Sequence, residues 1–180
     1  MDIRYLKGVG EKRAAQLTRL GIRTVDDLLG FYPRDYVDYS HPYPVAGAPY
    51  DVKCVVRATV YGKNGGARIR GGRQMAKATA GDDTAGLILT YFNNPYALQK
   101  LEVGREYLFF GKVGGTFTAR EMVNPVMLTV ESAAASPLVP VYPQTEGVSS
   151  AYLAKCVRAA FAAAPDIEEP LPAALIEKYR

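Results

Sequence analysis

From Tyr50 to about Val130 the chain is written in short strand-forming runs broken by glycine, with a single helical run among them. Residues 52–61 alternate as a strand, residues 67–80 return, and residues 87–91 are almost wholly apolar. Residues 105–113 and 117–122, the last extending toward Val130, supply two more strands. Turns fall at residues 62–66, 81–83 and 114–115, and Gly71-Gly72 marks a bend or bulge inside the second run. After the third strand, Pro95 fits the first position of a helix, where its missing N–H costs nothing, with Asn94 as N-cap. Ala97, Leu98 and Leu101 continue at helical spacing, and Gly104 stops the helix. Five strands with a helix between the third and fourth is the order of an OB-fold, so the fold class expected is α+β, built on a five-stranded OB-fold β-barrel.

The third strand carries the candidate site. Leu87, Leu89 and Tyr91 share one face, and Ile88, Thr90 and Phe92 share the other. The first set is the more uniformly apolar and is assigned to the core. Phe92 then sits near the rim, one short turn from Tyr96. Two rings at such a corner can stack on unpaired bases, each worth about 1–3 kcal/mol. They can equally cap the end of a small barrel.

Charge is unevenly spread. The net charge is +4, yet residues 52–81 hold seven Lys or Arg and no Asp or Glu, so the remainder sums to −3. A local basic segment on a slightly acidic protein points to a polyanion contact, although a solvated basic hairpin has the same composition. Lys63, Arg68, Arg70, Arg73 and Lys77 are the candidate phosphate ligands. Strands two and three are the usual binding face of an OB-fold. Charge that tracks phosphates beside rings that stack bases is the physical recipe for single-strand binding.

Residues 1–40 read as a small helical lobe. Leu6-Lys7-Gly8-Val9-Gly10 is a glycine turn opening a helix over residues 11–20, with Ala14, Leu17 and Leu20 as its apolar face and Gly21 as its stop. Thr24 caps a second run over residues 25–31, which Pro33 ends. The pattern resembles a helix-hairpin-helix, whose glycine-turn amides, here at Gly8 and Gly10, hold a phosphate, with Lys7, Lys12 and Arg13 adding charge. Such hairpins also serve as packing units alone. A tyrosine- and proline-rich connector follows, extended because its prolines forbid a helix. Beyond the barrel lie an Ala/Ser/Pro linker over residues 131–140 and a helix with a Leu153, Val157 and Phe161 stripe. The expected organisation is therefore residues 1–45 as lobe and connector, 46–135 as barrel, and 136–180 as linker and helices.

Little here supports catalysis or metal binding. His41 is the single histidine, Asp82-Asp83 fits a β-turn, and Cys54 and Cys156 lie far apart in apolar surroundings suited to a reducing cytoplasm. No run approaches the ~18 apolar residues of a membrane span, and no signal-peptide pattern opens the chain.

Four stretches together carry a family resemblance: Leu6-Lys7-Gly8-Val9-Gly10, Phe31-Tyr32-Pro33-Arg34-Asp35-Tyr36, Tyr91-Phe92-Asn93-Asn94-Pro95-Tyr96 and Val141-Tyr142-Pro143-Gln144-Thr145-Glu146-Gly147. In this order and spacing they resemble the N-terminal part of the RecG family of ATP-dependent DNA helicases. The resemblance implies a wedge barrel at the point where parental strands separate, with Phe92 and Tyr96 at the positions of the family's stacking pair. It implies branched or forked DNA and a C-terminal helicase motor as partners, a monomer, a bacterial cytoplasmic setting, and roles in recombination and repair at forks and Holliday junctions. ATP and magnesium would belong to that motor. No Gly-x-x-x-x-Gly-Lys-Ser/Thr loop occurs in these residues, so the chain is expected to be a non-catalytic piece of the longer enzyme, with no cofactor of its own. Tyr39 stands where the family's Arg-x-Tyr-x-Asp-x-Ser stretch has a second basic residue. The alternatives are a general single-stranded DNA- or RNA-binding OB module, or a protein-interaction domain.

Overall fold

A computed structural model describes residues 1–68, 74–116, 118–163 and 177, with only the backbone of residues 66–68 and 95. In chain order a 3-10 turn (Ile3–Tyr5) precedes helices α1 (Glu11–Thr18) and α2 (Val25–Leu29) and strand β1 (Asp35–Asp38). Strands β2 (Lys53–Arg68), β3 (Gln74–Gly81) and β4 (Gly86–Phe92) follow, then helix α3 (Pro95–Lys100). The chain continues through β5 (Glu106–Gly115), β6 (Arg120–Val123), β7 (Val126–Thr129), α4 (Val130–Ala135), β8 (Leu138–Val141) and α5 (Ser150–Ala163).

The large sheet runs β2-β3-β4-β6-β5-β7, and β2 also pairs with β5. Following the chain, the strand after α3 therefore closes on the first, and the β4–β6 pairing is parallel while its neighbours are antiparallel. This is the closed OB-fold barrel that the strand and helix order implies. Its fifth strand is broken in two by Asn124, at φ 46°, and Pro125, so β6 pairs with β4 and the end of β5 while β7 pairs farther along β5. Core residues alternate as a pleated strand demands: Leu87, Leu89 and Tyr91 are buried, as are Tyr107, Phe109 and Val113 on β5.

The run at residues 62–66, expected as a turn, lies inside β2. Register shifts between Val60 and Gly62 and between Asn64 and Ala67 mark two irregularities in one long strand. Glycines in a strand interior mark bulges as readily as turns, which is why the two were confused. The Gly71-Gly72 bend lies outside the described residues.

The connector is more than a spacer. Val45 is fully buried and Ala48 nearly so, both within the barrel's core cluster. Asp82 Oδ2 accepts the Val45 N–H at 2.8 Å. Arg120, 5% exposed, donates to the Ala48 and Ala46 carbonyls at 2.8 and 2.7 Å and lies 4.6 Å from the Tyr50 ring centroid. A buried guanidinium thus ties the connector to the barrel through backbone oxygens, the kind of pairing a buried charge requires. Tyr39 is buried against Phe110.

The chain folds as two compact units, residues 37–139 and a discontinuous unit of residues 1–36 with 140–180. Sequence divides the chain into residues 1–45, 46–135 and 136–180; in the structure helix α5 shares a hydrophobic cluster with α1 and α2. Leu17, Val25 and Leu28 from the front of the chain join Tyr142, Val148, Leu153, Cys156 and Ala160 from its end. Helix α5 buries Leu153, Ala154, Cys156 and Ala160, whereas Phe161 of the expected stripe is 54% exposed. Small side chains on the inward face let the helices approach closely. Arg13 stacks 4.7 Å from the Tyr152 ring centroid and donates to the Gly147 carbonyl, so it serves the packing of this unit. Helix α2 ends at Leu29 with Gly30 as its cap, short of the expected Phe31, and Thr24 and Asp27 form a reciprocal capping box. The expected linker holds α4 and β8, and β8 pairs with β1.

Candidate nucleic-acid interface

The corner after β4 is built by asparagines. Asn93 adopts φ 52°, its amide donates to the Gln74 carbonyl at 2.8 Å, and its side-chain oxygen accepts the Gln74 N–H at 3.1 Å. Asn94 caps α3 through the Ala97 N–H at 3.2 Å, with Pro95 at the first helical position. Asn124 accepts the Phe92 N–H at 2.8 Å, while its own amide donates to the Thr90 carbonyl at 2.7 Å. Asparagine tolerates left-handed backbone and bonds locally, so these side chains fix the turn without bulk.

On this frame Phe92 is partly buried and Tyr96 is 71% exposed. Neither ring stacks on another aromatic among the described residues. Phe92 lies opposite Met75 in the β3–β4 register, and Thr90 lies opposite Lys77. Cross-strand partners share a face, so Phe92, Thr90, Met75 and Lys77 lie on the face opposite the barrel core, where Thr90 is itself buried. Lys77 therefore stands on the ring side of the barrel. Its Nζ is 3.7 Å from Glu121 Oε1, an oxygen that also accepts the Thr90 hydroxyl. The pair is half-buried but open to water on one side, so phosphate oxygens can compete for the lysine.

The other basic candidates fall differently. Lys63 pairs with Ala78, a core-facing position, and its Nζ donates to the carbonyl of Leu101, the C-cap of α3. It neutralises a helix C-terminus there. The backbone of Arg68 pairs with Gln74, one residue from Met75, so the described end of β2 lies beside the strand that carries the ring surface. The Arg68 side chain, and Arg70 and Arg73 altogether, lie outside the described residues. Gly8 and Gly10 belong to the other unit. Gly8 turns at φ 89°, and its carbonyl accepts the Tyr152 hydroxyl at 3.1 Å. Gly10 is the extended N-cap of α1 and offers no side chain, leaving the first-turn amides without a side-chain cap. Cys54 and Cys156 are free and buried, and burial pushes both thiols up. No metal-ligating cluster occurs among the described residues. None of the described helices is long and apolar enough to cross a membrane.

Sequence reasoning placed Phe92 and Tyr96 at the rim corner, where they lie, and missed Asn124, Arg120 and the Lys77–Glu121 pair. Asn124-Pro125 was visible as a turn signal inside the last strand, but its partner across the barrel was not.

The closed barrel, with a helix between its third and fourth strands, defines an OB-fold domain. The model of the RecG wedge domain matches residues 2–164, and the chain belongs to that family. The ATP-dependent DNA helicase RecG of Escherichia coli (strain K12) is 34% identical over 157 residues, covering 83% of this chain and 22% of that protein. RecG of Streptococcus pneumoniae is 29% identical over 180 residues, covering 99% of this chain and 26% of its own length. A solved structure of RecG bound to a three-way DNA junction superposes with a TM-score of 0.84 at 26% identity, over all of this chain and 25% of that one. The chain thus spans about a quarter of the length of these relatives.

Proposed function

We propose that this chain recognises branched DNA and acts as the strand-separating wedge of a RecG-type helicase, in the cytoplasm of a bacterium and in the service of recombination and repair. The observation that carries the reading is the corner itself, an exposed Tyr96 beside an outward-facing Phe92, held by three asparagines on a closed barrel. Rings fixed in this way stack on bases without first losing backbone freedom, which favours binding. Lys77, with Arg68, Arg70 and Arg73, holds phosphates, and the glycine-turn amides at Gly8 and Gly10 supply a second, sequence-independent phosphate contact. The relatives' remaining length would hold the motor, with its ATP and magnesium, that draws duplex onto the wedge. Chemistry therefore lies outside these residues.

The test is fork binding by the 180-residue chain. Replacing Phe92 and Tyr96 with alanine should weaken binding to a model fork roughly 10- to 100-fold, the scale of one to two lost stacking contacts, with an unchanged circular dichroism spectrum. Equal affinity of parent and double variant overturns the wedge reading. Competition separates it from a general single-strand module: a wedge prefers forks and three-way junctions to plain single strands of equal length.

A further inference from the structure

The outward row of residues that contains Lys77 continues around the barrel. Lys77 pairs with Thr90 on β4, and Thr90 pairs with Val123 on β6. Lys112 on β5 lies one residue past the Val113–Met122 pair and so comes level with Val123. Lys112 in turn is the register partner of Lys53 on β2. One row thus runs Lys77, Thr90, Val123, Lys112, Lys53 across consecutive strands. Three strand spacings of about 4.8 Å put Lys112 roughly 14 Å around the barrel from Lys77.

Two lysines directly opposite each other repel. Both are exposed, and no carboxylate among the described residues lies within 4.0 Å of either ammonium. They border one surface depression, lined also by Gly114, Val123, Asn124 and Val126. Val123 and Val126 are 52% and 58% exposed, and Gly114 has no side chain to raise the floor. Two carboxylates, Asp51 and Glu121, share the rim. Glu121 is already held by Lys77 and the Thr90 hydroxyl, which draws its charge toward the ring side. The depression therefore has a cationic end, at Lys53 and Lys112, and an apolar middle. At the cationic end two ammonium groups face the single carboxylate of Asp51, and neither is ion-paired within 4.0 Å among the described residues.

We propose that Lys53 and Lys112 form a second anchor, which grips the phosphates of the single strand leaving the rings. This rests on the wedge reading and extends it, because that reading alone ends at the Phe92 and Tyr96 corner. The strand peeled off at Phe92 crosses β4 and β6 over Val123, passes Glu121 with its bases toward the protein, and meets cations again at Lys112 and Lys53. Glu121, paired with Lys77 and bonded by the Thr90 hydroxyl, leaves Lys112 and Lys53 as the next cations along the row.

The experiment compares the parent chain with a Lys53→Ser/Lys112→Ser variant on two DNA substrates, a fork with a single-stranded arm and the same junction with that arm removed. On the armed fork the variant should bind roughly tenfold more weakly at low salt, and its log–log salt slope should fall by about 1.4, the share of two single-strand phosphates. On the armless junction the two proteins should bind alike. Since the substitutions relieve a like-charge pair, the variant's unfolding midpoint should equal or exceed the parent's. An unchanged slope on the armed fork overturns the anchor while leaving the wedge intact, provided Phe92→Ala/Tyr96→Ala still weakens binding. An equal penalty on both substrates overturns the assignment to the separated strand. If the parent binds neither substrate, both readings fall.

Discussion

Inside the barrel one hydroxyl is stranded. The Tyr91 oxygen is buried and has no hydrogen-bond partner among the described residues. Burial pushes this phenol up to about 12, so it stays neutral at any pH the protein meets. An unmatched buried hydroxyl costs about 1–3 kcal/mol in desolvation. Tyr91→Phe keeps the ring and removes that cost, so urea unfolding should show stabilisation by about 1 kcal/mol. A lower midpoint for the variant would mean that water or a neighbour satisfies the oxygen. The inward direction of Tyr91 was legible, because strand alternation assigns it to the face of Leu87 and Leu89. Arg120 was not legible. A lone cation in a strand reads as solvent-facing, and only the folded path of residues 46–48 reveals the carbonyls that accept its hydrogen bonds. The Lys63 contact was hidden for the same reason, since its carbonyl partner is 38 residues away.

The connector illustrates what an element can do without regular structure. Burial pushes the Asp82 carboxyl up, but hydrogen bonds from Thr84, Val45 and Ala85 outweigh it and hold the group below the ordinary value of 3.8. A carboxyl with a depressed folded pKa contributes stability that is present above its unfolded value and lost as pH falls through the folded one. Asp82→Ala should therefore lower the thermal midpoint at neutral pH, and its gap from the parent should close as pH drops below 3.8. A constant gap across that window would show that the carboxylate's charge has no part in holding the connector. Sequence located Asp82 correctly in a turn, because Gly-Asp-Asp-Thr favours one, yet the Val45 N–H it accepts lies 37 residues back. Strands β4 and β5 and helix α3 were legible from local pattern and caps. The length of β2 was not, because bulge and turn use the same glycines.

At the scale of the whole molecule, the two ends of the chain complete one core. Leu17, Val25 and Leu28 rest on residues that arrive more than a hundred positions later. A chain ending at Val139 should keep the barrel and lose the helical unit. Hydrogen exchange would then find slow amides in β2–β6 and fast ones throughout α1 and α2. Protection persisting in α1 would show that the N-terminal lobe folds without α5. Sequence alone could not reveal this division, because hydrophobic spacing marks a buried face without naming what covers it. The apolar stripe of the last helix was visible, and its partner at the opposite end of the chain was not.

That discontinuous unit imposes a timetable on synthesis. The first three dozen residues leave the ribosome with their apolar faces bare and wait while the inserted barrel, complete in itself, emerges and matures. Only when the stretch beyond Pro140 is translated can the opening helices be covered. Helix α5 is thus the one that seals α1 and α2, and a nascent chain stalled in between would carry a finished barrel behind an exposed, adhesive helical segment.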